Sequence, residues 1–278
     1  MSGTLTIVGT PIGNLGDFSP RAVQALEETD FIAAEDTRVT LRLLNHFGIK
    51  KPLVSYYEHN KRERGEQICA RIEAGENCVL VSDAGMPAIS DHGEELVAQC
   101  AERGIPVLAV PGPSAVVTAL ALSGLPTGRF TFEGFLSVNK KSRREHLAQL
   151  TDERRTMVFY EAPHKLPTTL RDLYEALGDR RVALARELTK VHEEVQRTTL
   201  REAAARYADG GARGEFVLVV EGAPEPEQEE TVSIEDAARA VRELAEREGV
   251  SLSEAARRVA ALTGLKKSAI YHAASASE

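Results

Sequence analysis

The sequence has no tryptophan, few aromatic residues of any kind, and three cysteines in 278 residues. Three is an odd number, and Cys69, Cys78 and Cys100 show no C-x-x-C spacing. The pattern argues against a disulfide framework and against a zinc site, and it fits a reducing, cytoplasmic setting. No other grouping of His, Cys or carboxylates has metal-ligand spacing, so no metal is expected. No apolar run approaches the roughly 20 residues that span a bilayer. Met1-Ser2-Gly3-Thr4 leads straight into a strand pattern, so neither a membrane partner nor a signal peptide is expected. Basic charge is also short: the formal net charge is −8, and any nucleic-acid contact must rely on local patches. The first glycine cluster, Gly9-x3-Gly13-x2-Gly16, is neither GxGxxG nor a phosphate loop followed by GK[ST]. A GxSxG elbow is missing as well.

What is present suits an α/β protein. Hydrophobic residues make up 42% and charged residues 27%, and the length leaves room for two domains with sizeable cores. Apolar runs of strand length alternate with helical patterns, and the unusual loops fall at strand ends. Cys78-Val79-Leu80-Val81 reads as a buried parallel strand. It opens into Ser82-Asp83-Ala84-Gly85-Met86-Pro87-Ala88-Ile89-Ser90-Asp91 and then a helix from Gly93. Such a loop lies at the carboxyl edge of a sheet, where open α/β folds bind ligands. Asp91 reads equally as the N-cap of the next helix. Asp83 is too far upstream for that and is a site candidate.

Three other loops share this placement. Leu5 to Val8 runs into Gly9-Thr10-Pro11-Ile12-Gly13-Asn14-Leu15. Phe31 to Ala34 ends in Glu35-Asp36-Thr37-Arg38, either a substrate-facing cluster or a helix cap with an ion pair. Pro106 to Val110 ends in Pro111-Gly112-Pro113-Ser114-Ala115, where Ser114 is a cap or a ligand contact. Tyr56-Tyr57, beside Lys61 and Arg62, could stack a nucleotide or simply precede a solvated helix capped by Asn60.

After the linker Gly124 to Gly128 the pattern changes. Lys140-Lys141-Ser142-Arg143-Arg144 is the densest basic cluster, a phosphate-contacting patch or a solvated helix face. Thr156 to Glu161 is a strand ending in Tyr160-Glu161-Ala162-Pro163-His164-Lys165, and Val182 to Arg186 ends in Glu187-Leu188-Thr189-Lys190. Glu215 to Val220, apolar between carboxylates, reads as a central strand. The chain then divides into segments 1–124, 125–222, an acidic proline-bearing linker over 223–231, and a helical unit over 232–278. In that unit Gly264 separates two helical patterns, and the last would present Lys266, Lys267, Ser268 and Tyr271 to a phosphate backbone. Packing on the body or on a partner subunit is the alternative.

Taken together and in order, the Gly9–Leu15, Ala34–Arg38, Ser82–Asp91, Val110–Ala115 and Tyr160–Lys165 motifs resemble those of the ribosomal small subunit methyltransferase I family. The resemblance covers residues 4 to 222, and the tail is similar to that family's terminal helix-turn-helix. Met86 departs from it, standing where threonine is expected. The resemblance implies two α/β domains of the tetrapyrrole methylase (class III methyltransferase) type, with S-adenosylmethionine between them and no metal. It implies a homodimer, and 2′-O-methylation of a decoding-centre cytidine of 16S rRNA that also receives a base methyl group from another enzyme. By the same resemblance Pro11, Asp83, Ala84, Gly85, Ile89, Ser114 and Ala115 hold the cofactor from the first domain. Tyr160, Leu188 and the Glu215-Phe216-Val217 strand, with Phe216 foremost, close it from the second.

Methyl transfer to a ribose hydroxyl needs a base, or a cation that lowers the hydroxyl pKa. The candidates are Glu35, Asp36, Glu161 and Glu187 as base, with Asp36 and Glu161 foremost. Arg38, Lys165 and Arg186 are the candidate cations. Lys140, Lys141, Arg143, Arg144, Lys266 and Lys267 are the candidate RNA contacts. Two other readings keep part of this picture: a tetrapyrrole or other small-molecule acceptor on the same fold, and a non-catalytic cofactor-sensing nucleic-acid binder.

Overall fold

The computed structural model describes residues 2–58, 60–225 and 232–276. Met1, His59, most of the linker expected over 223–231 and the last two residues of the helical unit lie outside them. The described chain forms two compact units, residues 1–223 and 224–278.

The larger unit contains two five-stranded sheets. In the first, β1 (Leu5–Val8), β2 (Phe31–Ala34), β3 (Leu53–Ser55), β4 (Cys78–Val81) and β5 (Val107–Val110) run parallel in the order β3-β2-β4-β1-β5. The strands are short and almost continuously apolar, as a sheet covered on both faces requires. One face packs against α3 (Lys61–Glu73) and α4 (Gly93–Glu102), through Ile68, Ile72 and Leu96. The other packs against α1 (Pro20–Glu28) and α2 (Thr37–His46), through Leu26 and Leu44. Helix α1 begins as its sequence dictates: Ser19 Oγ accepts the Ala22 N–H at 3.1 Å and Pro20 fills the first turn. Strand order reverses around β1, so the loops leaving β1, β2, β4 and β5 converge at one sheet edge.

Helix α5 (Ala115–Ser123) joins the two sheets. One side of it lies against the second sheet, with Val116, Ala119 and Leu120 packed on Ala185, Val217 and Val219. That sheet comprises β6 (Phe130–Phe135), β7 (Thr156–Glu161), β8 (Arg181–Arg186), β9 (Glu194–Thr199) and β10 (Phe216–Val220), ordered β6-β7-β10-β8-β9. Its far face is covered by α6 (Lys140–Gln149), α7 (Leu166–Leu177) and α8 (Leu200–Arg206), with Leu147, Leu170 and Ala203 buried against it. β10 is central, as its unbroken apolar run implies, and it is antiparallel to both β7 and β8. Its start therefore lies beside the ends of β7 and β8, which brings Glu215 to the same edge as Glu161 and Glu187.

The three cysteines are free and buried. Cys69 and Cys100 join α3 to α4 through a 3.7 Å sulfur contact. Tyr56 is buried in the first core, so the Tyr56-Tyr57 pair is no stacking platform. Asn60 does not cap α3 with its side chain; Oδ1 instead accepts the Tyr57 N–H.

The smaller unit is a bundle of α9 (Ile234–Glu248), α10 (Leu252–Thr263) and α11 (Lys267–Ser275). Ser233 and Ser251 cap the first two helices, and Gly249 and Gly264 end them in the left-handed conformation that glycine adopts freely. Ala237, Val241, Ala256, Val259 and Ile270 form its core.

Candidate active site

The loops at the two sheet edges enclose a cavity of about 480 Å³, within the range of roughly 300–1,000 Å³ usual for small-molecule sites. The first sheet contributes Glu35 after β2, Ser82 to Ala84 and Ile89 to Asp91 after β4, and Ala115 at the start of α5. The second contributes Tyr160 to Pro163 at the end of β7, Leu188 and Lys190 after β8, and Val217 in β10.

Backbone strain gathers here. Among the described residues, four non-glycine residues have left-handed backbone: Ala88 (φ 65°), Ser90 (φ 70°), Glu187 (φ 51°) and Thr189 (φ 66°). Each such residue costs about 1–3 kcal/mol, and all four sit in the two loops that wall the cavity from opposite sheets. Asp91 helps hold the first loop, since its Oδ1 accepts the N–H groups of Ala88 (2.9 Å) and Gly93 (2.7 Å). In the second loop the Thr189 hydroxyl is buried without a protein partner.

The charges lining the cavity are one-sided. Glu35, Asp83, Asp91, Glu161 and Glu215 face a single cation, Lys190. Burial opposes the charged form of Lys190. Hydrogen bonds to Glu187 and Glu215, both 2.8 Å, outweigh it and raise the pKa. Glu35 is shifted upward, first by burial and then by repulsion from Asp83 and Asp91. Burial likewise raises Asp83, whose Oδ1 accepts the Asp36 N–H at 3.0 Å.

The structure brings Glu35, Glu161, Asp83, Ala84, Ile89, Ala115, Tyr160 and Leu188 to the cavity and leaves the other candidates outside it. Asp36 caps α2 and is clamped by the Arg38 guanidinium at 2.6 Å, which with the Arg38 N–H lowers its pKa to about 2. That carboxylate serves as the helix cap, and Arg38 is engaged in the same pair. Glu187 is lowered by its hydrogen bond from Lys190 and faces that side chain. Arg186 is paired with Glu194. Lys165 lines a separate cavity of about 250 Å³ beside α7, with His164. Glu161 forms part of the wall between the two cavities. Its oxygens accept the Ala162 N–H (2.8 Å) and the Thr169 hydroxyl (2.5 Å), which makes it a brace for the loop after β7.

Among the expected cofactor contacts, Phe216 is displaced. Alternation along β10 sends it into the core under α7 and α8, and Val217 takes the cavity position. Gly85 bridges Thr10 through two backbone hydrogen bonds, and Ser114 holds the N-cap position of α5. Pro11 lines a further cavity beside α2. Arg143 is not a free phosphate contact: it pairs with Asp172 at 2.6 Å, both side chains largely buried, and donates to the Ser137 carbonyl. Lys140, Lys141 and Arg144 in the larger unit, and Lys266 and Lys267 in the helical unit, are exposed. Glu215 and Val217, expected with Phe216 as the strand that closes the cofactor site, both line the cavity, whereas the sequence singles out no role for Lys190. The signal for Lys190 was present in Glu187-Leu188-Thr189-Lys190 at a strand end, but nothing in it separated the lysine from its neighbours. Among the described residues no group of three or more His, Cys, Asp or Glu side chains is arranged to hold a metal ion.

Residues 4–204 match the family described as Tetrapyrrole (Corrin/Porphyrin) Methylases, and residues 231–277 match the RsmI C-terminal HTH domain. The chain is 48% identical over 270 residues to ribosomal RNA small subunit methyltransferase I of Synechocystis sp., covering 97% of this chain and 96% of that one. It is 45% identical over 276 residues to the protein of the same name from Pseudomonas aeruginosa, covering 98% and 97%. The fold is similar to that of uroporphyrin-III C-methyltransferase from Thermus thermophilus complexed with S-adenosyl homocysteine. That likeness has a TM-score of 0.53 at 18% identity, over 78% of this chain and 97% of that one.

Proposed function

This chain belongs to the ribosomal RNA small subunit methyltransferase I family of the tetrapyrrole methylases, and from that premise we propose that it transfers a methyl group from S-adenosylmethionine to the ribose 2′-hydroxyl of a decoding-centre cytidine in 16S rRNA. The observation that carries the reading is the charge of the central cavity. S-adenosylmethionine bears a sulfonium and an ammonium against one carboxylate, and a cleft lined by five carboxylates and one lysine concentrates such a cation. The same field repels polyphosphate ligands of that size. The one lysine, Lys190, is itself held by Glu187 and Glu215, which leaves the wall negative. Tyr160, Leu188, Val217 and Ala115 supply apolar walls.

Bound there, the sulfonium supplies an already activated methyl group. The protein must orient the acceptor, exclude water and take one proton. Glu35 is the base this geometry favours. Its raised pKa makes it a stronger base than Asp36 or Glu187, and unlike Glu161 it is not committed to bracing a loop.

The RNA is held outside the acidic cavity by exposed cations. Lys140, Lys141 and Arg144 offer phosphate contacts in the larger unit, and Lys266 and Lys267 in the helical unit. Replacing Lys140, Lys141 and Arg144 together by alanine should weaken binding of 30S subunits. It should lower the log–log salt slope by about 2, at roughly 0.7–0.9 per lost contact. An unchanged slope in filter binding from 50 to 200 mM salt would remove this patch. A homodimer is part of the same reading. β5 is a free sheet edge that leaves Leu108 exposed, and α5 leaves Val117 exposed. Sedimentation equilibrium should give twice the 30.2 kDa chain mass, and a monomer at micromolar concentration would contradict the dimer. The rRNA substrate places the protein in the cytoplasm.

The direct test offers labelled S-adenosylmethionine with undermethylated 30S subunits, naked 16S rRNA and a tetrapyrrole in parallel. Label in rRNA supports the proposal. Label only in the tetrapyrrole would replace the acceptor, and cofactor binding with no transfer to any of the three would favour a sensor.

A further inference from the structure

The cavity of about 250 Å³ beside α7 lies between the loop after β6 and the start of that helix. Glu161 lines both it and the central cavity, so the end of β7 is the wall between them. The two differ in charge. The central cavity sets five carboxylates against one lysine, whereas this one sets Arg143 and Lys165 against Glu161 alone. Both Glu161 oxygens are already taken, by the Ala162 N–H and the Thr169 hydroxyl. Arg143 is fixed in place: Nε donates to Asp172 (2.6 Å) and Nη1 to the Ser137 and Val138 carbonyls (2.9 and 3.3 Å), which ties α6 to α7 and holds the loop after β6. Lys165, by contrast, makes no ion pair or side-chain hydrogen bond among the described residues, and neither does His164 or the Thr168 hydroxyl beside it. The turn that presents Lys165 is itself anchored, because its N–H and that of Leu166 both donate to the Ala162 carbonyl, at 3.0 and 3.2 Å. Helix α7 then starts with no side-chain cap and no acidic residue in its first turn, so the positive end of its dipole adds to the lysine.

We propose that this cavity holds a backbone phosphate of the rRNA strand that carries the acceptor, with Lys165 as its cation and the Thr168 hydroxyl as a second donor. The inference rests on the methyltransferase reading above and adds how the acceptor strand is anchored beside the methyl donor. The physical problem is one of charge. The field that gathers a cationic cofactor repels RNA phosphates, yet the acceptor ribose must reach the methyl group. A strand can do both if a phosphate near that ribose is neutralised at the rim of the acidic cavity. Every ribose within a strand lies between two phosphates, so a phosphate site one wall away from the donor cavity suits the connectivity of the strand. Lysine is a compact point charge with three donors and binds a phosphate without demanding a planar partner. Hydroxyls and helix N-termini are among the usual further contacts of such a phosphate. All nucleotides share this group, so the site fixes the register of the strand and carries no base preference.

The test compares wild type with Lys165→Ala, Lys165→Arg and Thr168→Val. Neither side chain is fully buried or bonded within the protein, so the fold tolerates all three changes. Each protein is assayed for methyl transfer to undermethylated 30S subunits, for 30S binding on filters from 50 to 200 mM salt, and for S-adenosylmethionine affinity by calorimetry. Lys165→Ala should raise KM for 30S subunits about tenfold, the scale of one hydrogen bond to a charged group. It should lower the log–log salt slope by about 0.7, the value for one contact to a single strand, and leave cofactor affinity within twofold. Lys165→Arg keeps the charge and should keep the slope, with KM within about threefold of wild type. Thr168→Val should raise KM about threefold with no change in slope, because an uncharged donor releases no counterion. Three results for Lys165→Ala overturn the phosphate site and leave the methyltransferase reading intact. These are a KM and slope equal to wild type, a loss of cofactor affinity, which would make Lys165 the partner of the cofactor carboxylate, and a fall in kcat with KM unchanged, which would make it the cation that acidifies the hydroxyl. A wild-type protein that binds the cofactor and methylates no rRNA overturns both.

Discussion

Replacing Glu35 by glutamine should reduce methyl transfer to rRNA by about 10²–10⁴-fold, the usual contribution of a positioned general base, with cofactor affinity kept within about threefold. Glu35 stands at the end of β2, where the cavity receives it beside Asp83 and Asp91. Burial and those two carboxylates raise its pKa. The deprotonated form is the base, so kcat/KM should rise with pH through that raised pKa and fall as pH drops below it. The glutamine variant should lose this acid limb. The same shift has the opposite sign for stability. A carboxyl group with a folded pKa above its unfolded value binds protons more readily in the folded state. Stability therefore declines as pH rises from the unfolded to the folded pKa, and the ionised group is a burden above that window. Glu35→Gln should consequently unfold at a slightly higher temperature at neutral pH while losing activity, a combination that a merely damaged protein does not show. Full turnover in Glu35→Gln would transfer the base role elsewhere.

Gly112→Ala should damage the cofactor loops with a single methyl group. The segments leaving β1 and β5 cross with their backbones in contact. A methyl at Gly112 would lie 2.8 Å from the Gly9 carbonyl oxygen and 2.9 Å from its Cα. Neither neighbour is a flexible side chain, so the strain cannot be relieved locally. Overpacking of this kind costs about 1–3 kcal/mol. Its larger effect is on function. Displacing Pro111-Gly112-Pro113 moves the start of α5 and with it Ala115 in the cavity wall. Cofactor affinity should fall at least tenfold by calorimetry, along with a lower urea midpoint. Met86 bears on the same crossing, since a side chain at Gly9 would meet its Sδ at 2.7 Å. The departure from threonine at position 86 thus places an apolar group against the β1 loop. Unchanged cofactor affinity in Gly112→Ala would show that the crossing does not shape the site.

The parts of this site that could be read from the sequence are those written in backbone chemistry. Glycine and proline after short apolar runs placed the loops of β1, β4 and β5 at one sheet edge, and the structure puts them there. What could not be read depends on which face of an element is turned inward. Phe216 and Val217 are equally apolar, and only the packing of α5 on one side of β10 decides that Val217 meets the cavity. Arg143 looks like its basic neighbours, yet Asp172, 29 positions away, removes it from solvent. Asp36 and Glu35 are adjacent carboxylates, but α2 consumes one as its cap and leaves the other to the cavity. The left-handed residues Ala88, Ser90, Glu187 and Thr189 gave no warning, because none is of a type that favours that conformation strongly.

The most direct measurement is the position of the transferred methyl group. 30S subunits labelled by the wild-type protein from S-adenosylmethionine are extracted, and the 16S rRNA is hydrolysed with alkali and resolved. A ribose methyl blocks cleavage at its own phosphodiester, so the account predicts label in one alkali-resistant dinucleotide containing cytidine. Label released as an ordinary mononucleotide would mean base methylation and would contradict it.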